Sequence, residues 1–67
     1  MEKFSASLKE IRLENGLTQK QLSQLLKVSH TTVSSWEKST REPSLEMLEK
    51  IAIALKCDVN YLIGFGE

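Results

Sequence analysis

The side chains best able to form directional contacts lie in the middle of the chain. They are a histidine and three hydroxyl residues between positions 30 and 35: His30, Thr31, Thr32 and Ser35. Their nitrogen and oxygen atoms can hydrogen-bond to base edges, and a threonine methyl can contact a thymine methyl. Because the side chains are short, a helix that carries them can approach the DNA major groove closely. This stretch is the first candidate functional surface.

The remaining inventory argues against catalysis. The chain of 67 residues has one histidine, His30, and one cysteine, Cys57, with no glycine-rich phosphate loop. A nucleophile with its base, or a zinc site with four ligands, needs more groups than these. We therefore expect no enzyme, no metal and no cofactor. Cys57 cannot form an internal disulfide. It is predicted to be a small buried apolar residue, as suits a reducing cytoplasmic location.

The formal net charge is zero, but the charges are unevenly distributed. Residues 18–41 carry four basic side chains against one acidic side chain, a net +3. Residues 42–67 carry two basic against five acidic side chains, a net −3. Proteins that bind nucleic acid are often basic. Any anion-binding surface is therefore expected in the middle segment, and non-specific binding is expected to be weak.

Apolar residues recur at helical spacing along the whole chain, without sustained alternation. The pattern predicts an all-α fold, a compact five-helix domain that spans residues 1–67. No stretch approaches 18 apolar residues, so no membrane segment is expected. The helices are predicted at about 4–14, 19–26, 30–38, 45–55 and 59–63.

Capping residues place the second and third helices. Thr18 and Gln21 have the spacing of a capping box, and Ser29 is the expected N-cap of the third helix. Only residues 27–29 separate the two helices, which is helix-turn-helix geometry over residues 18–38. The apolar residues expected to converge on one small core are Leu22, Leu26, Val28, Val33 and Trp36.

Further spaced positions extend this pattern: Leu17-Thr18-Gln19, Leu22, Val28-Ser29, Val33-Ser34, Trp36-Glu37, Pro43, Leu48, Ile51-Ala52, Leu55 and Leu62. Over about residues 8–64 they resemble the lambda-repressor-like, Cro/C1-type (XRE-like) helix-turn-helix family. The resemblance implies a sequence-specific regulator of transcription that binds double-stranded DNA. The expectation is a prokaryotic or phage repressor, with neither a membrane nor a small-molecule substrate as a partner. It is either a whole small regulator or the N-terminal part of a longer one.

The resemblance also implies roles for individual residues. His30, Thr31 and Ser35 match base-reading positions, whereas Thr32 either caps the helix or touches DNA. Gln19 matches a glutamine that clamps a phosphate. The other expected phosphate contacts are Ser29, Lys38, Arg41 and Arg12.

Arg12 also matches one half of an Arg–Glu pair with Glu37. An exposed pair contributes at most about 1 kcal/mol, so its expected value is to position the guanidinium.

Two kinds of departure from the family pattern are visible. Lys27 and Ser39 stand where glycine is common, and a left-handed conformation there costs on the order of 1 kcal/mol. Either these residues are strained or the turns differ. Leu25 occupies a usually polar outward position, and Ser23 replaces an alanine. Leu25 is therefore either exposed or packed against something that family members lack.

The end of the chain is more apolar than one short helix normally buries. Tyr61, Ile63 and Phe65 are candidates for a homodimer interface, or else they are plain core. With Leu25, they also support an alternative function, a protein-interaction module of the same fold such as an antitoxin or an adaptor. Salt-dependent binding to duplex DNA would separate the two functions.

Overall fold

The computed structural model describes residues 2–63, except the side chain of Glu2, and these residues form five helices without a strand. The helices are α1 (Glu2–Glu14), α2 (Gln19–Leu26), α3 (His30–Glu37), α4 (Leu45–Leu55) and α5 (Val59–Ile63). The all-α prediction is confirmed. None of the described helices is long and apolar enough to cross a membrane.

Side-chain caps fix where three of the helices begin. Thr18 Oγ1 accepts from the Gln21 amide at 3.0 Å, and Gln21 Oε1 accepts from the Thr18 amide at 2.8 Å. The predicted capping box at the start of α2 is therefore confirmed. Ser29 and Ser44 each accept from the amide three residues further along, both at 3.1 Å. These bonds satisfy backbone donors that the first turn of a helix leaves without partners.

Four helices end on a residue in the left-handed conformation. These residues are Gly16, Lys27, Ser39 and Lys56, with φ between 57° and 70°. After each of them, the next amide bonds back to the carbonyl five residues earlier, at 2.9 to 3.1 Å. This is the Schellman motif, which favours glycine because other residues carry a Cβ. Of the two alternatives left open for Lys27 and Ser39, the left-handed conformation is the one that occurs, whereas the left-handed conformation of Lys56 was not predicted.

All five helices contribute to the core, in which α2 packs against α3 and α4 while α1 packs against α3 and α5. Leu22, Leu26, Val33 and Trp36 are buried as predicted, and Val28 packs against them from the turn. Because α1 packs on α3 while α4 packs on α2, the helix-turn-helix is supported by both neighbours. Leu25 is 58% exposed, so the first of its two predicted environments is confirmed.

A buried serine ties α1 to the end of α3. Ser5 Oγ donates to the Trp36 carbonyl at 2.7 Å and also hydrogen-bonds the hydroxyl of Ser39. Both partners lie where α3 ends and its loop begins. The contact therefore fixes the end of α3 relative to α1.

Candidate nucleic-acid interface

The first turn of α3 presents polar side chains to solvent. His30 and Thr31 are exposed, whereas Thr32 and Ser35 are half-buried. Thr32 Oγ1 lies 2.8 Å from Ser29 Oγ, which also accepts from the Thr32 amide. The sequence leaves two roles open for Thr32, capping the helix or contacting DNA. In this structure its hydroxyl takes part in the cap. A contact between Thr32 and DNA stays a prediction.

The other end of α3 leads into a loop with two exposed cations, Lys38 and Arg41. The Ser35 carbonyl accepts both the amide and the hydroxyl of Thr40, at 3.0 and 3.2 Å. The loop is thereby tied back to α3. Sequence reasoning missed Thr40, because a hydroxyl that bonds to a carbonyl five residues earlier has no distinctive motif.

Arg12 and Glu37 form a buried, two-pronged ion pair. Arg12 Nε donates to Glu37 Oε2 at 2.7 Å, and Nη2 donates to Oε1 at 3.1 Å. The side chains are only 8% and 4% exposed, so the expectation of an exposed pair is wrong. The reason is that α1 packs against α3 and encloses both side chains. Arg12 Nη1 donates to the Leu17 carbonyl at 2.7 Å, so the guanidinium is directed at protein groups. Its predicted phosphate contact stays a prediction.

Gln19 extends this ion pair to the surface. Its Nε2 donates to Glu37 Oε1 at 3.1 Å, and its Oε1 lies 3.0 Å from His30 Nε2. The ion pair therefore connects through Gln19 to the exposed start of α3. The sequence points to Gln19 and His30 separately but not to their contact, since no spacing rule joins the first residues of two different helices.

Two further predicted features lie in the turn after α4 and on α5. Cys57 is half-buried and packs against the core, and burial together with the charge of Asp58 raises the pKa of its thiol. Tyr61 is 55% exposed, whereas Ile63 is partly buried against the core. Phe65 lies outside the described residues.

An apolar groove of about 500 Å³ separates the C-terminal halves of α2 and α4. Leu25 and Ile53 line it, and Lys27 and Lys50 flank them. Ile53 is 79% exposed. These residues are distinct from the predicted contact residues on α3.

Two short helices joined by a tight turn, with the second presenting a polar first turn, define the helix-turn-helix class. The family model described as Helix-turn-helix matches residues 8–62, and the chain belongs to this family. The resemblance to Cro/C1-type regulators is thereby confirmed.

Several characterised proteins are similar to the chain. The cryptic phage CTXphi transcriptional repressor RstR of Vibrio cholerae is 35% identical over 64 residues, which cover 96% of this chain and 58% of RstR. The restriction-modification controller protein C.AhdI of Aeromonas hydrophila superposes with a TM-score of 0.84 at 33% identity, over 91% of this chain and 92% of C.AhdI.

PlcR of Bacillus thuringiensis, solved in complex with the peptide PapR7 and DNA, gives a TM-score of 0.82 at 35% identity. That match covers 92% of this chain and 22% of PlcR. The chain spans between 31% and 58% of the length of the curated relatives it matches.

Proposed function

We propose that the chain binds double-stranded DNA sequence-specifically and regulates transcription, with α3 inserted in the major groove. The observation that carries this proposal is the exposed first turn of α3, where His30 stands beside Gln19 and is followed by Thr31. The same elements in PlcR belong to a protein solved with DNA, and RstR is a transcriptional repressor. Repression is the proposed mode of regulation.

Phosphate contacts are proposed at both ends of α3. The Gln19 amide nitrogen has two hydrogens, and only one of them is directed at Glu37. The second hydrogen is free to meet a phosphate at the start of α2. Ser29 in the turn and the exposed Lys38 and Arg41 beyond α3 are the other proposed contacts. Such contacts fix the position of the protein without reading sequence. Arg12 is not counted with them, because its guanidinium is buried and directed at Glu37 and Leu17.

Base contacts are proposed for the side chains between these phosphate clamps. His30 and Thr31 are exposed, whereas Ser35 is half-buried on the following turn. Thr32 is the weakest member of the set because its hydroxyl bonds to Ser29. Each lost base contact is expected to cost about 1–3 kcal/mol of discrimination.

A homodimer is proposed to read a near-palindromic site, with half-sites about 34 Å apart. The exposure of Tyr61 supports an interface at the end of the described chain. Ile63 and Phe65 are its other proposed members. Dimerisation matters for this proposal because the chain is neutral overall and has two exposed cations beside α3. The phosphate contacts of one subunit alone therefore add little affinity.

The first test is selection of bound sequences from a pool of random duplexes, followed by affinity measurements across salt concentrations. Lys38 and Arg41 give four cationic phosphate contacts per dimer. We therefore expect the logarithm of the binding constant to fall against that of salt with a slope of about −3.6. Absence of binding at low salt, or a flat salt response, would contradict the proposal and favour the protein-interaction alternative.

Single substitutions separate the two kinds of contact. Lys38→Ala should weaken binding evenly across sequences and make the slope shallower, whereas Lys56→Ala, an equal loss of charge at the end of α4, should not. Thr31→Ala should instead change which bases are selected. An unchanged selection profile for Thr31→Ala would remove it from the base-reading set.

Regulation itself needs a separate test. The selected sequence is placed across the start of a promoter, and transcription is measured in vitro with increasing amounts of protein. If the protein represses, the amount of transcript should fall as protein is added. With Thr31→Ala the fall on this sequence should be smaller. A rise in transcript would mean activation and would contradict the proposed mode.

A further inference from the structure

We infer that the hydrogen bonds from Glu37 through Gln19 to His30 hold the His30 ring as its Nε2–H tautomer, so that Nδ1 meets DNA as a hydrogen-bond acceptor. The group such an atom recognises is the exocyclic amine of adenine or cytosine. The inference deepens the proposed function and rests on it, because it assumes that His30 contacts a base. It is carried by the arrangement of Arg12, Glu37, Gln19 and His30.

The first step concerns the chemistry of Glu37. Its side chain is 4% exposed and receives two hydrogen bonds from the Arg12 guanidinium, at 2.7 and 3.1 Å. A guanidinium is always a donor, and the carboxylate that it pairs with is an acceptor only. Any further group that approaches Glu37 Oε1 must therefore donate.

The second step fixes the orientation of the Gln19 amide. The amide end that lies 3.1 Å from Glu37 Oε1 must be Nε2, because the opposite orientation would bring two oxygen acceptors together. Gln19 Oε1 consequently faces His30 Nε2, at 3.0 Å. This orientation follows from the donors and acceptors alone.

The third step assigns the proton on His30. An amide oxygen cannot donate, so His30 Nε2 must carry the hydrogen in this contact. In a neutral imidazole the other nitrogen, Nδ1, then holds a lone pair. His30 is exposed on the first turn of α3, the surface proposed to meet DNA, and Nε2 is engaged with Gln19, which leaves Nδ1 as the ring nitrogen for a base contact.

The fourth step connects this atom to the bases. In the major groove, adenine N6 and cytosine N4 are donors, whereas guanine O6 and N7 and thymine O4 are acceptors. A neutral His30 with Nδ1 as acceptor can bond only to the amines. Arg12 and Glu37 touch no base in this arrangement and act as positioning residues through Gln19.

The tautomer can be measured in the free protein by ¹⁵N NMR of the imidazole, at a pH where the ring shifts report a neutral side chain. Nε2 should be protonated and Nδ1 unprotonated, with the Nε2 hydrogen protected from exchange with water. Gln19→Met, of similar length but without an amide, should remove the protection. Gln24→Met, an exposed glutamine on the same helix, should leave it unchanged. A protonated Nδ1, or protection that survives in Gln19→Met, would overturn the inference.

The base contact is tested with analogues in the selected DNA. The pair whose preference is lost in His30→Ala is taken as the one that His30 reads. Every base pair presents one exocyclic amine in the major groove, so base analogues are needed to identify the contact, because the selected sequence alone cannot. Removing that amine, with purine for adenine or pyrimidin-2-one for cytosine, should weaken binding by roughly tenfold. The 7-deaza form of the purine at that pair should bind like the natural base.

Failure of the inference and failure of the proposed function give different results. Suppose that His30→Ala changes the base preference at one position of the selected DNA. If removing N7 at that position weakens binding and removing the amine does not, the acceptor assignment is overturned while DNA recognition stands. If no sequence is selected, or His30→Ala changes none, the base contact itself fails and the inference fails with it.

Discussion

The Arg12–Glu37 pair, at the scale of single residues, couples the stability of the protein to its candidate interface. Both charges are almost completely removed from solvent, and Glu37 also holds the Gln19 amide that faces His30. Two charges buried this deeply must lose most of their hydration. Their mutual attraction and two added hydrogen bonds, to the Leu17 carbonyl and from the Gln19 amide, offset that cost without necessarily exceeding it. The pair is therefore better understood as fixing a geometry than as a large source of stability.

Removing one partner should accordingly be worse than removing both. We expect Arg12→Met and Glu37→Met each to lower the free energy of unfolding by about 3 kcal/mol, because each leaves a buried charge without its partner. The double variant should be more stable than either single variant, since no charge then remains buried. Urea denaturation of the three variants measures the differences.

An exposed pair on α4 is the matched control. Lys50 lies 3.8 Å from Glu46, with side-chain exposures of 57% and 82%. Lys50→Met should change the free energy of unfolding by less than about 0.5 kcal/mol. Single substitutions at Arg12 or Glu37 with effects as small as this would contradict the role assigned to the buried pair.

The Cys57 thiol should react slowly in the folded protein. Burial and the negative charge of Asp58 both raise its pKa above the ordinary value, which lowers the thiolate fraction near neutral pH. Asp58→Asn should speed alkylation by iodoacetamide in the folded state, because it removes the charge while keeping an oxygen for the bond to the Asn60 amide. In denaturant the two chains should react at similar rates. Equal rates in the folded state would mean that the charge of Asp58 does not act on the thiol.

At the scale of helices, the boundaries with side-chain caps were the most predictable. Thr18 with Gln21, Ser29 and Ser44 encode the starts of α2, α3 and α4 locally, through bonds that span three residues. The start of α1 was predicted near residue 4 rather than Glu2, since no such cap marks it.

Contacts between helices were less predictable than helix boundaries. The burial of Arg12 depends on how α1 packs against α3, which no local pattern contains. The contact between Gln19 and His30 depends in the same way on how α2 meets α3. The sequence could thus name candidate site residues and, through the family resemblance, the Arg12–Glu37 pair, but it could not indicate the burial of that pair or the contact between Gln19 and His30.

The left-handed ends of the helices give a prediction at this scale. Lys56 has a φ of 57°, a conformation that costs a residue with a Cβ about 1 kcal/mol relative to glycine. Lys56→Gly should raise the free energy of unfolding by about 0.5–1 kcal/mol. Lys56→Ala, which keeps the Cβ, should leave it nearly unchanged. Thermal unfolding of both variants tests this, and equal effects of glycine and alanine would exclude backbone strain as the cause.

At the scale of the whole molecule, neutrality results from cancellation between segments rather than from an absence of charge. The cations Lys38 and Arg41 follow α3, whereas acidic residues such as Glu46 and Glu49 lie on α4. One subunit therefore has few exposed cations beside α3, and the proposed function relies on base contacts and on dimerisation for its specific affinity. A dimer of the proposed kind would have to hold its two α3 helices about 34 Å apart to read successive turns of the major groove.

The proposed homodimer gives the last prediction. Sedimentation equilibrium should show a dimer for the wild type and a shift to monomer for Tyr61→Glu, because a carboxylate would be buried in the interface. Ile53→Glu, the same kind of change at a 79% exposed site on α4, should remain dimeric. Tyr61→Glu should also lose affinity for a two-half-site duplex while binding a single half-site like the wild type.

A wild type that stays monomeric at high concentration would contradict the dimer. Dissociation by Ile53→Glu but not by Tyr61→Glu would place the interface at the groove between α2 and α4.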